Sequence, residues 1–112
     1  MYELKLKSGD MEWEPLDFAG MAVKPLRVDP ETWAMTVLTR MGPGTEIPAH
    51  RHSAADETAF VVEGDFVEDG ERFGPGACFH GAAGSVHGPH RSAGGCVLLM
   101  HFTAKLDFLP VD

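Results

Sequence analysis

The sequence predicts an all-β domain, either a sandwich or a closed barrel, on three observations. Thirteen glycines and eight prolines cut 112 residues into short runs. No window keeps a helical period over three turns, whereas several runs alternate or concentrate β-branched and aromatic residues. An Asp69-Gly70 pair joins two short apolar segments and supplies the positive φ angles of a tight hairpin. With no internal repeat and no linker, eight or more short strands must share one core. Residues 1–112 therefore read as a single domain, long enough to bury a real interior.

Taken in order, residues 2–7 alternate charge with bulk and read as an edge strand. Residues 22–25 and 26–28 read as two further edge strands. Residues 33–40 are rich in β-branched and aromatic side chains, and the Met41-Gly42-Pro43-Gly44 turn stops them. Residues 59–62 form another strand. Residues 66–68 and 71–73 are the arms of the Asp-Gly hairpin, and Gly74-Pro75-Gly76 breaks the chain again. Residues 96–102 make a late, largely buried strand. Within it Val97, Leu99 and His101 share one face, which gives His101 the reading of a core histidine, with a role beside a cavity as the alternative.

The formal net charge is −8, from 9 Lys+Arg against 17 Asp+Glu. Phosphate backbones and anionic membranes call for a basic surface, so neither is an expected partner. The longest apolar run, Val97-Leu98-Leu99-Met100, is far too short to cross a bilayer. The opening residues carry no apolar signal segment, and a cytoplasmic protein is expected. Cys78 and Cys96 lack C-x-x-C spacing, which argues against a thiolate zinc knuckle or a redox pair. Free, buried thiols are expected, a disulfide between them being the alternative.

The chemistry concentrates in "PGTEIPAHRHSAADETAFVVEG", residues 43–64. On a strand His50 and His52 point to the same side, roughly 7 Å apart along the backbone, a workable spacing for two imidazoles meeting one ion. Ser53-Ala54-Ala55-Asp56 gives enough chain for Glu57 to bring a carboxylate to the same face. An isolated His-x-His is more often a solvated strand, so the nearby glutamate and a third histidine must carry the metal reading. That third is His87, in "HGAAGSVHGPH", where Gly84 is expected to let the backbone pass close to a neighbour.

These spacings resemble the two sequence motifs of the cupin family. Gly44, His50, His52, Glu57 and Gly64 match the first motif at every fixed position. Gly76, Gly84 and His87 resemble the second, which departs at Ala82, where proline is usual, and at Arg91, where asparagine is frequent. The resemblance implies a double-stranded β-helix, the jelly-roll cupin barrel. It also implies one divalent ion per chain on His50, His52 and His87, with Glu57 either a fourth ligand or a carboxylate beside the ion acting as catalytic base. Nitrogen ligands without thiolate suit Fe(II) or Zn(II) first, then Ni(II) or Mn(II). Two branches are similar. "WEP", "KPL", "TVLTRMGPGTEIPAHRH" and "GGCVLL" resemble the cupin-type domain of zinc-dependent anti-sigma factors. "GSVHG" and "FTAKLDFL" resemble small dioxygenases that cleave β-diketones or hydroxyacetophenones.

The expected function is therefore that of a metal-dependent cupin acting on a small molecule. The leading reading is a non-haem Fe(II) dioxygenase that cuts a carbon–carbon bond; the alternative is a metal- or ligand-sensing domain without catalysis. A Zn(II) or Mn(II) isomerase or lyase, needing no O2, is a third. Among the remaining side chains, His90 is placed at the barrel mouth, as a surface residue or a substrate contact, and His80 is structural. Arg40 and Arg91 are surface ion-pair residues or anchors for a substrate anion. Trp13, Trp33, Phe60 and Phe79 are expected in the core or at a subunit contact. Phe18 and Met21 are expected to cover an edge strand or swap into a neighbour. Exposed edges in small sandwiches are often paired across a two-fold axis, so a homodimer or dimer-based tetramer is expected.

Overall fold

A computed structural model describes residues 1–111. The strands are β1 (Glu14–Pro15), β2 (Met21–Val28), β3 (Met35–Met41), β4 (Thr45–Ile47), β5 (His50–Arg51), β6 (Glu57–Gly64) and β7 (Phe66–Glu68). They continue as β8 (Glu71–Phe73), β9 (Cys78–Gly81), β10 (Val86–His87), β11 (His90–Ser92), β12 (Cys96–Phe102) and β13 (Leu109–Pro110). A six-stranded antiparallel sheet, β1-β2-β3-β12-β6-β9, makes one wall. A four-stranded sheet, β4-β11-β7-β8, and a three-stranded one, β10-β5-β13, complete the jelly roll. The only helical element among the described residues is one turn at Ser8–Asp10, and no helix is long and apolar enough to cross a membrane.

Alternation along the long strands builds the interior. On β6, Ala59 and Val61 point inward while Phe60 and Val62 face out; on β12, Cys96, Leu98 and Phe102 point inward. Met41, Ile47, Val61, Phe66, Cys96 and Leu98 form one buried cluster, and Val37, Ala55 and Phe102 a second, with Met100 packed against both. Each of the valine, leucine, isoleucine, methionine and phenylalanine side chains among them contributes roughly 1.5–3 kcal/mol by leaving water. The late strand and the Asp-Gly hairpin have the bounds the sequence predicts, and Asp69 and Gly70 both take positive φ, 46° and 83°.

Several expectations are corrected. Residues 2–7 form no strand, and Tyr2, Leu4 and Leu6 are exposed. Alternation supplies a face but not a partner, and the outer edge of β2 is taken by Glu14–Pro15 instead. The two edge strands expected at residues 22–28 are the single strand β2, paired to β3, with a register shift between Pro25 and Arg27. Pro25 has no N–H to give the ladder, so the irregularity falls beside it. The strand expected from residue 33 starts at Met35, because Trp33 lies in the preceding turn. There Trp33 has φ 64° and is 57% exposed, while Asp29 Oδ1 accepts the N–H groups of Glu31 and Thr32 at 2.8 and 3.1 Å.

His101 is exposed rather than in the core. The parity of β12 sends Val97, Leu99 and His101 outward, and His101 Nδ1 meets Thr36 Oγ1 at 3.0 Å on β3. Phe60 is likewise exposed on the outer face, and Trp13 is half-buried between the cations of Lys24 and Arg40. Phe79 packs in the interior on Phe66 and Phe73. Phe18 and Met21 pack against the first core cluster rather than over an edge. Both cysteines are free, but only Cys96 is buried; Cys78 is exposed.

Candidate metal centre

The three-stranded sheet exists to bring distant residues together. β5 pairs with β10 so that His50 stands directly opposite His87, and β13 pairs with the other edge of β5, setting Pro110 against His50. The His50 and His87 ring centroids are 5.0 Å apart. His52 follows β5, and its ring lies 5.0 Å from that of His50 and 4.9 Å from that of His87. One ligating atom from each of the three lies within 4.8 Å of the others, the geometry of a shared ion. The structure thus brings together His50, His52 and His87 as the spacing predicts.

Two of the rings are oriented from behind. His50 Nδ1 donates to Pro48 O at 3.0 Å, and His52 Nδ1 donates to Asp107 O. A proton fixed on Nδ1 turns Nε2 toward the centre, the usual way an outer partner selects the ligating tautomer; His52 Nε2, 3.1 Å from Glu57 Oε1, would give up its shared proton to hold an ion. His87 is seated by Gly81, where a Cβ would come within 3.1 Å of His87 Nδ1. The close approach anticipated at Gly84 is therefore at Gly81. Gly84 is in open space, and its need is a φ of 84° in the turn whose N–H reaches His52 O at 2.8 Å.

Glu57, at the start of β6, places Oε1 3.1 Å from His52 Nε2 and Oε2 3.8 Å from His87 Nε2. It stands beside two of the three histidines but outside the converging set itself. Burial raises its carboxyl, yet the hydrogen bond from His52 and the neighbouring imidazoles outweigh that and hold it below the usual carboxylate range. For His52, burial acts downward and the bonds to Glu57 and Asp107 win, leaving it above the ordinary imidazole value. Burial pushes His50 and His87 below that value, so both favour the neutral form that can ligate.

The donor set fits a divalent ion. His87 Nε2 is buried with no hydrogen-bond partner, although it sits among three other titratable groups. A buried polar atom without a partner costs about 1–3 kcal/mol, and an ion at the convergence point would satisfy it. Three neutral imidazoles on one side of such an ion leave positions open, unlike the closed shell of a structural zinc site.

His50 and His87 also line a cavity of about 760 Å³. His50, Glu57, His87, His90 and Glu68 form its polar end, and Met21, Met35, Val37, Met41, Met100 and Phe102 much of its apolar wall. His90 is therefore buried inside rather than exposed at the mouth, 9% accessible, with its ring 5.2 Å from that of His50. His80 stays outside the histidine group, as expected, with Nδ1 3.0 Å from Thr58 Oγ1. Neither Arg40 nor Arg91 lines the cavity.

Sequence reasoning missed the contribution of the chain's end. Ser53 N donates to Asp107 Oδ1 at 2.7 Å and Ser53 Oγ donates to Asp107 Oδ2, which holds the tail where Asp107 O meets His52. Next to it, the Phe108 ring lies 5.2 Å from His50, 5.1 Å from His52 and 5.4 Å from Phe18, closing that side of the cavity. Only the resemblance of "FTAKLDFL" pointed there. Glu68 was missed as well, since a glutamate next to an Asp-Gly turn reads as solvated.

A family model described as the ChrR cupin-like domain matches residues 2–107. Among functionally curated proteins no sequence matches significantly. Solved structures with the same fold include an acetylacetone dioxygenase from Acinetobacter johnsonii. It is 20% identical, with 96% of this chain and 78% of that one covered and a TM-score of 0.80. The polyketide cyclase RemF from Streptomyces resistomycificus is 17% identical, covering 99% and 87%, with a TM-score of 0.79. The anti-sigma factor ChrR, in its complex with SigE from Rhodobacter sphaeroides, is 23% identical over 85% of this chain and 51% of that one, with a TM-score of 0.66. At these identities the likeness is one of fold. With the family model covering nearly the whole chain, the protein is a member of the ChrR cupin-like domain family of cupins.

Proposed function

We propose that the protein is a metal-dependent cupin enzyme, a non-haem Fe(II) dioxygenase that cleaves a carbon–carbon bond of a small β-diketone-like or hydroxyacetophenone-like molecule. The observation that carries this reading is the juxtaposition of three converging imidazoles with a cavity of about 760 Å³. A site meant only to hold the fold together has no need of an open side. A divalent ion held by His50, His52 and His87 would supply Lewis acidity for a chelating anion and, as iron, the redox capacity for O2.

This chain's own residues would do the rest. His50 and His52 keep their rings aimed by donating Nδ1–H to backbone carbonyls. Glu57, ionised beside His52 and His87, would join the ion as a fourth ligand or take the proton that an enol gives up. The methionine, valine and phenylalanine wall excludes water from the reacting carbon atoms. The overall reaction balances without a further reductant. Both atoms of O2 enter the products as one carbon–carbon bond breaks.

Protein loaded anaerobically with Fe(II) is expected to consume O2 when given members of a panel of β-diketones and hydroxyacetophenones. Uptake no greater than that of metal-free protein across the panel would count against this reading. The family match favours a second one, a sensing domain without catalysis, similar to the ChrR domain found in complex with a sigma factor. Zinc in the purified protein, with a partner regulator captured by wild type and not by His50→Ala, would favour it. In either reading a homodimer or dimer-based tetramer in the cytoplasm remains our expectation.

A further inference from the structure

The cavity contains a second polar pair that the metal reading leaves unused. His90, on β11, lies between β4 and β7, and its partner Glu68 is opposite it in register on β7. Both line the cavity, whose remaining wall is mainly apolar. Glu68 Oε1 accepts the Gly88 N–H at 2.7 Å, which fixes the carboxylate, and Glu68 Oε2 abuts His90 Nδ1. That contact is too bent for a linear hydrogen bond. Two lone pairs cannot face each other so closely, however, so Nδ1 carries a proton, and in the neutral ring Nε2 is the acceptor. The His90 ring packs edge-on to His50 at 5.2 Å and stacks on His87 at 6.0 Å, next to the converging set rather than within it.

We propose that His90, oriented by Glu68, is a specificity-determining residue that accepts a hydrogen bond from a ligand hydroxyl carried apart from the ligand's chelating oxygens. The proposal rests on reading the site as one that takes a chelating ligand, and it narrows the class to chelating ketones bearing a further hydroxyl. The pair belongs to the polar end beside His50 and His87, while most of the remaining wall is thioether, aliphatic and aromatic. A ligand lacking the hydroxyl leaves Nε2 desolvated and unmatched, which is the strongest kind of discrimination a pocket can make. The size of the cavity agrees. A seven-heavy-atom diketone fills on the order of 150 Å³, about five times the share of a liquid water molecule, so room remains for a ring or chain carrying the extra group.

Two chelating hydroxypyranones test this directly, because kojic acid differs from allomaltol by one distal hydroxyl. Each is titrated into cobalt(II)-loaded protein and followed by the visible cobalt spectrum, without turnover. Wild type is expected to bind kojic acid about tenfold more tightly than allomaltol. In His90→Phe the ratio falls to about one, with cobalt content and allomaltol affinity kept within about threefold; His90→Gln, which retains an acceptor, recovers part of the preference. A pair that only braces the Gly88 turn would leave the ratio unchanged in both variants, and that result overturns the proposal. So does a wild type that binds both ligands equally, or loss of cobalt from His90→Gln, which would place His90 with the ion. A wild type that binds neither ligand overturns the chelate reading itself and the proposal with it.

Discussion

Six histidines divide between the inside and the outside of one β barrel. His50, His52, His87 and His90 crowd the polar end of the interior, with neighbouring centroids 4.9–6.0 Å apart. His80 and His101 stand on the outer face of the six-stranded sheet. Each is exposed, and each is paired through Nδ1 at 3.0 Å with a threonine hydroxyl on the adjacent strand, Thr58 or Thr36. The outer pair has water as an alternative partner and interacts weakly. The inner group is largely shielded from water, so carbonyls and carboxylates order it, and an ion held there would order it further. Residue type is the same in both places; parity and desolvation make the difference.

The comparison breaks most sharply at the convergence point. His50→Ala or His87→Ala removes one of three nitrogens, and metal retained after dialysis, read by elemental analysis, is expected to fall from one ion per chain to near zero. The affinity loss should exceed the 10–100-fold typical of removing an outer hydrogen-bond partner. Full retention of metal in both variants would remove the basis for separating inner from outer histidines.

Glu57→Gln comes next. The carboxylate is 3.1 Å from His52 and 3.8 Å from His87 but outside the converging set. About a tenfold drop in affinity for zinc, measured by competition with a chelator, is the outcome expected if the carboxylate reaches the ion. An unchanged affinity would leave it the role of proton acceptor alone.

A smaller effect is expected at the chain's end. Asp107→Ala keeps the backbone carbonyl that His52 uses but cuts both bonds from Ser53. The tail then holds that carbonyl less firmly, and zinc affinity should fall by about three- to tenfold, toward the low end for an outer partner. The same chelator competition reads it. Ser53→Ala, which loses one of the two bonds, should fall between wild type and Asp107→Ala.

How far this division was legible in the sequence depends on the range of the contacts. His50, His52 and Glu57 fall within eight residues, so local spacing carries them, and the second motif adds His87. His90 and Glu68 meet only because β11 threads between β4 and β7, and Asp107 reaches His52 across 55 positions. Neither arrangement leaves a local pattern. The hairpin and the strand Cys96–Phe102 were legible because turn chemistry and apolar runs mark them. The face of His101 was not, since Val97 and Leu99 are as apolar as Cys96 and Leu98, and only the register with β3 and β6 decides which row turns inward.

The smallest expected effect tests the other side of the comparison. His80→Ala and His101→Ala each remove an exposed ring and one hydrogen bond to a threonine that water can replace. Metal content should stay at the wild-type value, and stability should change by no more than about 0.5 kcal/mol, as for surface substitutions generally. Thermal denaturation of metal-free and zinc-loaded protein separates the two readouts. A variant that lost the zinc-induced rise in melting temperature would show that the outer face is coupled to the centre through β6 or β12. The obvious route for such coupling is Thr58, which neighbours Glu57 on β6 and stands between His80 and His101 in the sheet. Because Thr58 and Glu57 leave the strand on opposite faces, loss of either outer imidazole should not move the carboxylate.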